Sequence, residues 1–357
     1  MKVLIATPYY LPTVGGLETY VREVAKGLAR IGWDVVIVCG DRDAKTMSSE
    51  ILEGYTLYRL PFWLTVSNTP LDPRWPAMLR KIVKFEKPDV MNVHTPVPSM
   101  ALAALFVPKR TPLVVTYHAG SMRKGRALTD LVISCYEATL LPWLLNRADS
   151  IVCASSFVRE RFLTRWHDKS MTITPGVDIQ QFVPTNDTPA GKRLVFVGDF
   201  RDPRKGLNVL LSAIKNLPDV SLHVVGEGGA LTQDQVTFTG IKRGAELLRE
   251  LNSAKALVLP STTDAEAFGV VLIEAMACGL PVIGSNIGGI GGVITNGQDG
   301  LLVPPSDEKA LESAIDVLFS DEAVRAQYGR AGRRKAVREY SWTDRISDTA
   351  RVLEAAL

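Results

Sequence analysis

The feature that most constrains this chain is a repeated alternation. Short apolar runs rich in branched residues alternate with stretches of helical periodicity, and the pattern occurs twice. In the first half the runs lie at residues 3–7, 34–39, 89–94, 113–118 and 150–155, each bounded by Gly, Pro, Asp or Ser. Such runs, separated by helices, indicate a parallel sheet covered on both faces. Leu17, Tyr20, Val21, Val24, Ala25 and Leu28 mark the first crossover helix, which Gly32 ends. A polar connector follows around residues 184–193, and the alternation resumes at 193–198, 221–226, 236–240, 256–260, 280–284 and 300–304. The expected fold is α/β: two doubly wound Rossmann-like domains, 1–183 and 193–340, joined by a linker at 184–192 and facing across a cleft. Residues 341–357 read as a C-terminal helix. In sheets of this kind ligands bind beyond the carboxyl ends of the strands.

The length of 357 residues suits two domains, and 46% hydrophobic with 22% charged residues describes a globular chain. A net charge of +3, without any arginine-rich tract, gives no sign of a nucleic-acid partner. Cys39, Cys135, Cys153 and Cys278 lack paired spacing, so they read as reduced thiols in a cytoplasmic protein, not as a metal motif or disulfide framework. Residues 1–10 read as a first buried strand and not as a signal peptide. The longest uncharged segment, 275–298, is broken by Pro281 and many glycines, so no transmembrane helix is expected. Any membrane contact is expected to be peripheral, at the inner face.

The stretch 261–279 holds the richest chemistry. An apolar run at 256–259 meets Pro260 and Ser261, then polar residues, then Glu266, then a helical pattern through Phe268, Val271, Leu272, Ala275 and Met276. With both glutamates on that helix, Glu266 and Glu274 lie roughly 12 Å apart along its axis. Free N–H groups near Phe268, Gly269, Val270 and Val271 at the helix start could hold a phosphate between them. Carboxylate, anion pocket and second carboxylate in a row suit a sugar, a diphosphate and a ribose. A capped core helix with two surface glutamates is the alternative.

Other candidates surround it in sequence. Gly15 and Gly16 precede the first helix and could approach an anion closely, although the pattern is not the GlyXaaGlyXaaXaaGly of dinucleotide-binding domains. His118 ends a strand on the ligand side and could donate to a sugar hydroxyl; His94 ends the preceding strand in the same way, and either could be structural. Arg201, Arg204 and Lys205, in the turn 197–206, could compensate a diphosphate leaving group or form an ordinary solvated turn. The glycine-rich stretch 285–293 could bring backbone close to a ligand or make a tight connection.

Together these residues resemble glycosyltransferase family 4. The resemblance rests on GlyGlyLeuGlu at 15–18, ProGlyValAsp at 175–178, ArgLysGly at 204–206, the glutamate-to-glutamate element within 266–282 and AspGlyLeuLeuValProPro at 299–305, and it covers nearly the whole chain. It implies a GT-B fold and a retaining, nucleotide-sugar-dependent transferase acting in polysaccharide or glycoconjugate biosynthesis. The resemblance assigns the donor sugar's hydroxyls to Glu266 and the ribose to Glu274. It assigns sugar and diphosphate to the N–H groups of Phe268, Gly269, Val270 and Val271, and the leaving diphosphate to Lys205 with Gly16. His118 would contact the sugar near its reacting face. It further implies front-face attack, no cofactor or divalent metal, a UDP-, GDP- or ADP-sugar donor, a sugar or lipid-linked acceptor, and a terminal helix that returns to the first domain. Where such enzymes usually carry arginine after the ValGly strand end, this chain has Asp199, so either Arg201 or Arg204 would serve the phosphates or leaving-group stabilisation would be weaker. GlyGlyIle at 288–290 is followed by GlyGly in place of the usual ProGlu. A nucleotide-sugar binder without transfer, or a GT-B epimerase, are the alternative functions. The basic segment 121–126 and the apolar one at 140–145 could meet a lipid-linked acceptor or be a loop and a core helix.

Overall fold

A computed structural model describes residues 1–13, 15–66, 69–120, 122, 127–185, 191–228 and 231–357. The chain divides into two compact units, Met1–Thr174 with Thr343–Leu357, and Pro175–Trp342. Most of the linker expected at 184–192, and all of 121–126 except Met122, lie outside the described residues.

The first unit is built on an eight-stranded sheet. Its strands are β1 (Lys2–Thr7), β2 (Asp34–Asp41), β3 (Ser48–Leu52), β4 (Tyr55–Pro61), then, beyond a small hairpin of β5 (Leu64–Val66) and β6 (Thr69–Leu71), β7 (Val90–Thr95), β8 (Leu113–Tyr117), β9 (Ser150–Cys153) and β10 (Ser170–Thr172). The spatial order is β10-β9-β8-β7-β1-β2-β4-β3, with every pairing parallel except β3 on β4 at the edge. The central strands are buried on both faces, as their continuous apolar runs require. Between β1 and β7 the strand order reverses direction.

The second unit repeats the plan with β11 (Lys192–Val197), β12 (Val220–Val225), β13 (Leu231–Gln233), β14 (Val236–Gly240), β15 (Ala256–Leu259), β16 (Val282–Ser285) and β17 (Gly300–Val303). Their order, β13-β14-β12-β11-β15-β16-β17, reverses between β11 and β15. Only β13 runs antiparallel to its neighbour. Two apolar clusters, one on each face of this sheet, hold the helices down. One centres on Leu259, Leu272, Ile273 and Met276, the other on Phe196, Leu210, Val258 and Leu311.

Each of the eleven apolar runs read from the sequence is a strand, with ends within two residues. Among the described residues six further strands were not anticipated. β3 is Ser-Ser-Glu-Ile-Leu with no side chain fully buried, an edge strand that offers no apolar run. β4 buries Tyr55, Leu57, Tyr58 and Leu60 but carries Thr56 and Arg59 among them, which breaks the continuous signature. The segment at 140–145 is a helix, Leu140–Arg147, with Leu141, Leu144 and Leu145 buried and Trp143 exposed.

Candidate active site

In the second unit the crevice between β11 and β15 is the switch point where such sheets bind ligands. Two segments leave the sheet there. The turn after β11 carries Asp199 to Lys205 and ends at Gly206, whose φ of +73° only glycine adopts readily. A Cβ on Gly206 would also strike the Pro260 carbonyl, so glycine lets this turn lie against the end of β15. Thr262 N–H donates to the Arg204 carbonyl at 2.8 Å and fastens the two segments. Their side chains then meet: Lys205 Nζ donates to Glu266 Oε2 at 2.6 Å, with Glu266 largely buried.

The structure corrects one part of the expected geometry. The helix is Val270–Ala277, so Glu266 and Phe268 precede it in an irregular turn, and the axial spacing of roughly 12 Å does not apply. Phe268 is nevertheless buried, its ring edge-on to Tyr340 at 5.6 Å. The helix begins from Gly269 in a left-handed conformation, φ 85°, and no side chain caps it. The N–H groups of Val270 and Val271 therefore have no partner inside the helix and face outward with its positive end.

Glu274 sits just over one turn in. Among the described residues no hydrogen bond or ion pair reaches its carboxylate, and burial alone pushes its pKa up to about 7. Ser261 Oγ and Thr263 Oγ1, at the end of β15, are buried and likewise without partners. The glycine-rich stretch 285–293 supports the turn. Gly289 N–H donates to the Glu266 carbonyl at 2.8 Å, and a Cβ on Gly288 or Gly289 would run into the backbone of Glu266 or Ala267. The sequence left these glycines either approaching a ligand or making a tight connection; the structure places Gly288 and Gly289 against the backbone of Glu266 and Ala267.

The arginines are otherwise engaged. Arg204 forks onto Asp202, with Nη2 at 2.7 Å from Oδ2 and Nε at 2.9 Å from Oδ1. Arg201 bonds Asp199 at 3.1 Å and also Glu227. Of the three cations, only Lys205 points to Glu266.

Gly16 and His118 belong to the first unit, at the carboxyl end of its sheet. The helix Gly16–Arg30 follows β1, and Gly16 is exposed with nothing within 4 Å of where a Cβ would stand. Gly15 is different: the carboxylate of buried Glu18 takes its N–H, as in half of a capping box, and desolvation raises the pKa of that acid. An anion at this helix start would have to share it with a carboxylate. His118, just past β8, is joined to His94 of β7, Nδ1 of His94 lying 2.6 Å from Nε2 of His118. Tyr20 packs edge-on against both rings. The two histidines at neighbouring strand ends were visible in the sequence, but their pairing required knowing that β7 and β8 are adjacent.

Comparison with known proteins agrees with this architecture. Residues 14–181 match the family described as Glycosyltransferase Family 4, and residues 179–335 match Glycosyl transferases group 1. The chain is 27% identical over 375 residues to a phosphatidyl-myo-inositol mannosyltransferase of Mycobacterium leprae, covering 99% of this chain and 96% of that protein. It is 28% identical over 404 residues to a glycogen synthase of Mycobacterium tuberculosis, covering 100% and 95%. Among solved structures, a sucrose-phosphate synthase from Thermosynechococcus elongatus superposes with a TM-score of 0.82 at 23% identity, covering 99% of this chain and 98% of that one. Two doubly wound units, each with its polar residues at the switch point, and family matches over nearly the whole length lead to one conclusion: this chain belongs to the family 4 glycosyltransferases, nucleotide-sugar-dependent enzymes of the GT-B fold.

Proposed function

We propose that the enzyme transfers a hexose-type sugar, with retention, from a nucleoside-diphosphate sugar to an acceptor hydroxyl in polysaccharide or glycoconjugate synthesis. The observation that carries this reading is the Lys205–Glu266 pair beside the uncapped start of helix Val270–Ala277. Glu266 would accept from the sugar's hydroxyls and Glu274 from the ribose, whose hydroxyls would give this half-buried carboxylate the partners it lacks among the described residues. The N–H groups of Phe268, Gly269, Val270 and Val271 would cradle sugar and diphosphate, helped by Gly16. Lys205 would meet the charge that develops on the leaving diphosphate, so no divalent ion is required. Arg204 lies beside Lys205, but its fork is occupied by Asp202, which leaves it a supporting role at the diphosphate. His118 would contact the sugar near its reacting face. The departing diphosphate would take the proton of the attacking hydroxyl. A lipid-linked acceptor is one candidate class, consistent with the mannosyltransferase relative; a glucan is the other, consistent with the glycogen synthase.

The test is a panel of UDP-, GDP- and ADP-sugars. A donor at about a hundred times its Kd should add about 2.7 kcal/mol of stability, visible as a thermal shift. That donor should release nucleotide with an acceptor present, and the product should keep the anomeric configuration. Lys205→Ala should bind the donor yet lose about 100-fold or more in kcat. Binding without any nucleotide release would identify a binder, and donor consumption without acceptor an epimerase. An inverted product would refute retention.

A further inference from the structure

His94 and His118 stand at the ends of adjacent parallel strands, one in β7 and one just beyond β8. Their planes differ by 13°, and their centroids are 4.9 Å apart although Nδ1 of His94 lies 2.6 Å from Nε2 of His118. A centroid separation so much longer than the nitrogen contact means that the rings meet edge to edge, through one nearly in-plane hydrogen bond. Burial keeps both neutral: the pKa of His118 is pushed down to about 3, and that of His94 well below its ordinary value. A neutral imidazole has one N–H and one bare nitrogen, so one ring donates and the other accepts.

The two arrangements differ in what they leave at the outer nitrogens. If His118 donated, the N–H of His94 would fall on Nε2, a buried atom without a partner among the described residues. Orphaned buried N–H groups are rare in native proteins. If His94 donates, that buried position is a bare nitrogen, and the other N–H falls on Nδ1 of His118, a ring that retains accessible surface. Tyr20, packed against both rings at 5.9 and 4.7 Å between centroids, restrains them from turning.

We propose that His94 is a positioning residue: by donating from Nδ1 to Nε2 of His118 it fixes His118 as the Nδ1-protonated tautomer. The hydrogen that His118 offers to a ligand then sits on Nδ1, set by the bond its other nitrogen makes. This deepens the reading of His118 as a contact to the donor sugar and rests on it. Loss of such an orienting partner behind a metal-bound histidine costs about 10- to 100-fold, which sets the scale here.

The chain has four histidines, so long-range proton–nitrogen correlation on the full-length, histidine-labelled protein can resolve each ring. The expected wild-type result is a protonated Nδ1 and a bare Nε2 on His118. His94→Leu removes the donor and should move the proton to Nε2, lowering kcat about 10- to 100-fold with little change in the KM for the donor. His94→Asn places an amide N–H near the former Nδ1; it should keep the tautomer and restore most of kcat. A wild-type His118 protonated on Nε2 overturns the proposal, whether or not the variants fold. So do equal losses in the Asn and Leu variants. Full turnover in His118→Ala would instead remove His118 from the reaction while leaving the tautomer result standing.

Discussion

At the scale of single residues, Glu274 is the carboxylate of the proposed donor site whose chemistry the fold alters. Its carboxyl rises from 4.5 to about 7 because burial withdraws water and no cation among the described residues replaces it. With the folded pKa above the unfolded one, the folded state keeps a proton between pH 4.5 and 7 that the unfolded state releases. Stability of the free enzyme therefore falls as pH climbs through that window. Glu274→Gln keeps the shape without the titration. In denaturant melts the variant should nearly match wild type at pH 5 and exceed it by up to about 3 kcal/mol at pH 8. It should bind nucleoside diphosphate more weakly at pH 8. A variant less stable than wild type at pH 8 would show that a partner, not a ligand, holds this carboxylate. The identity of both glutamates was legible in the sequence. That Glu266 meets Lys205 while Glu274 meets no partner among the described residues was not, because 61 residues separate the ion pair.

At the scale of elements, the proposed donor site depends on close backbone approaches that side chains would prevent. The loop after β16 passes under Glu266, where a Cβ on Gly289 would collide with the Ala267 carbonyl and stand 2.8 Å from the Phe268 nitrogen. Gly289→Ala should destabilise the second unit by about 1–3 kcal/mol and cut turnover, because the turn carrying Glu266 must shift. Gly292→Ala, with nothing within 4 Å of its new Cβ, is the control and should leave both unchanged. If both variants melt alike, the approach at Gly289 does not constrain the turn. The glycine-rich composition of 285–293 was plain from the chain. Which glycine touches what depends on β16 lying beside β15, a pairing that composition does not encode.

At the scale of the whole molecule, the chain leaves its first unit after Thr174 and rejoins it at Thr343. Within that unit Ile346 packs on Gly27 of the first helix so closely that a Cβ there would overlap it, and Thr349 bonds the hydroxyl of Tyr20, which packs on the histidine pair. Ile346→Ala should cost about 2–4 kcal/mol in denaturant unfolding. Gly27→Ala should also destabilise, and the double variant should lose less than the sum of the two, since the smaller side chain makes room. Strict additivity would show that the two positions do not press on each other. The sequence by itself determined the two α/β units, most of their strands and the residue types of the proposed donor site. Runs of branched apolar residues that alternate with helical patterns point to central parallel strands, and the glutamates and glycines follow the ends of those runs. Only the tertiary structure decided which of those residues touch: Lys205 with Glu266, His94 with His118, Gly289 beneath the Glu266 turn. Those contacts join segments remote in the chain, and they follow from strand order and burial, which local sequence pattern does not specify.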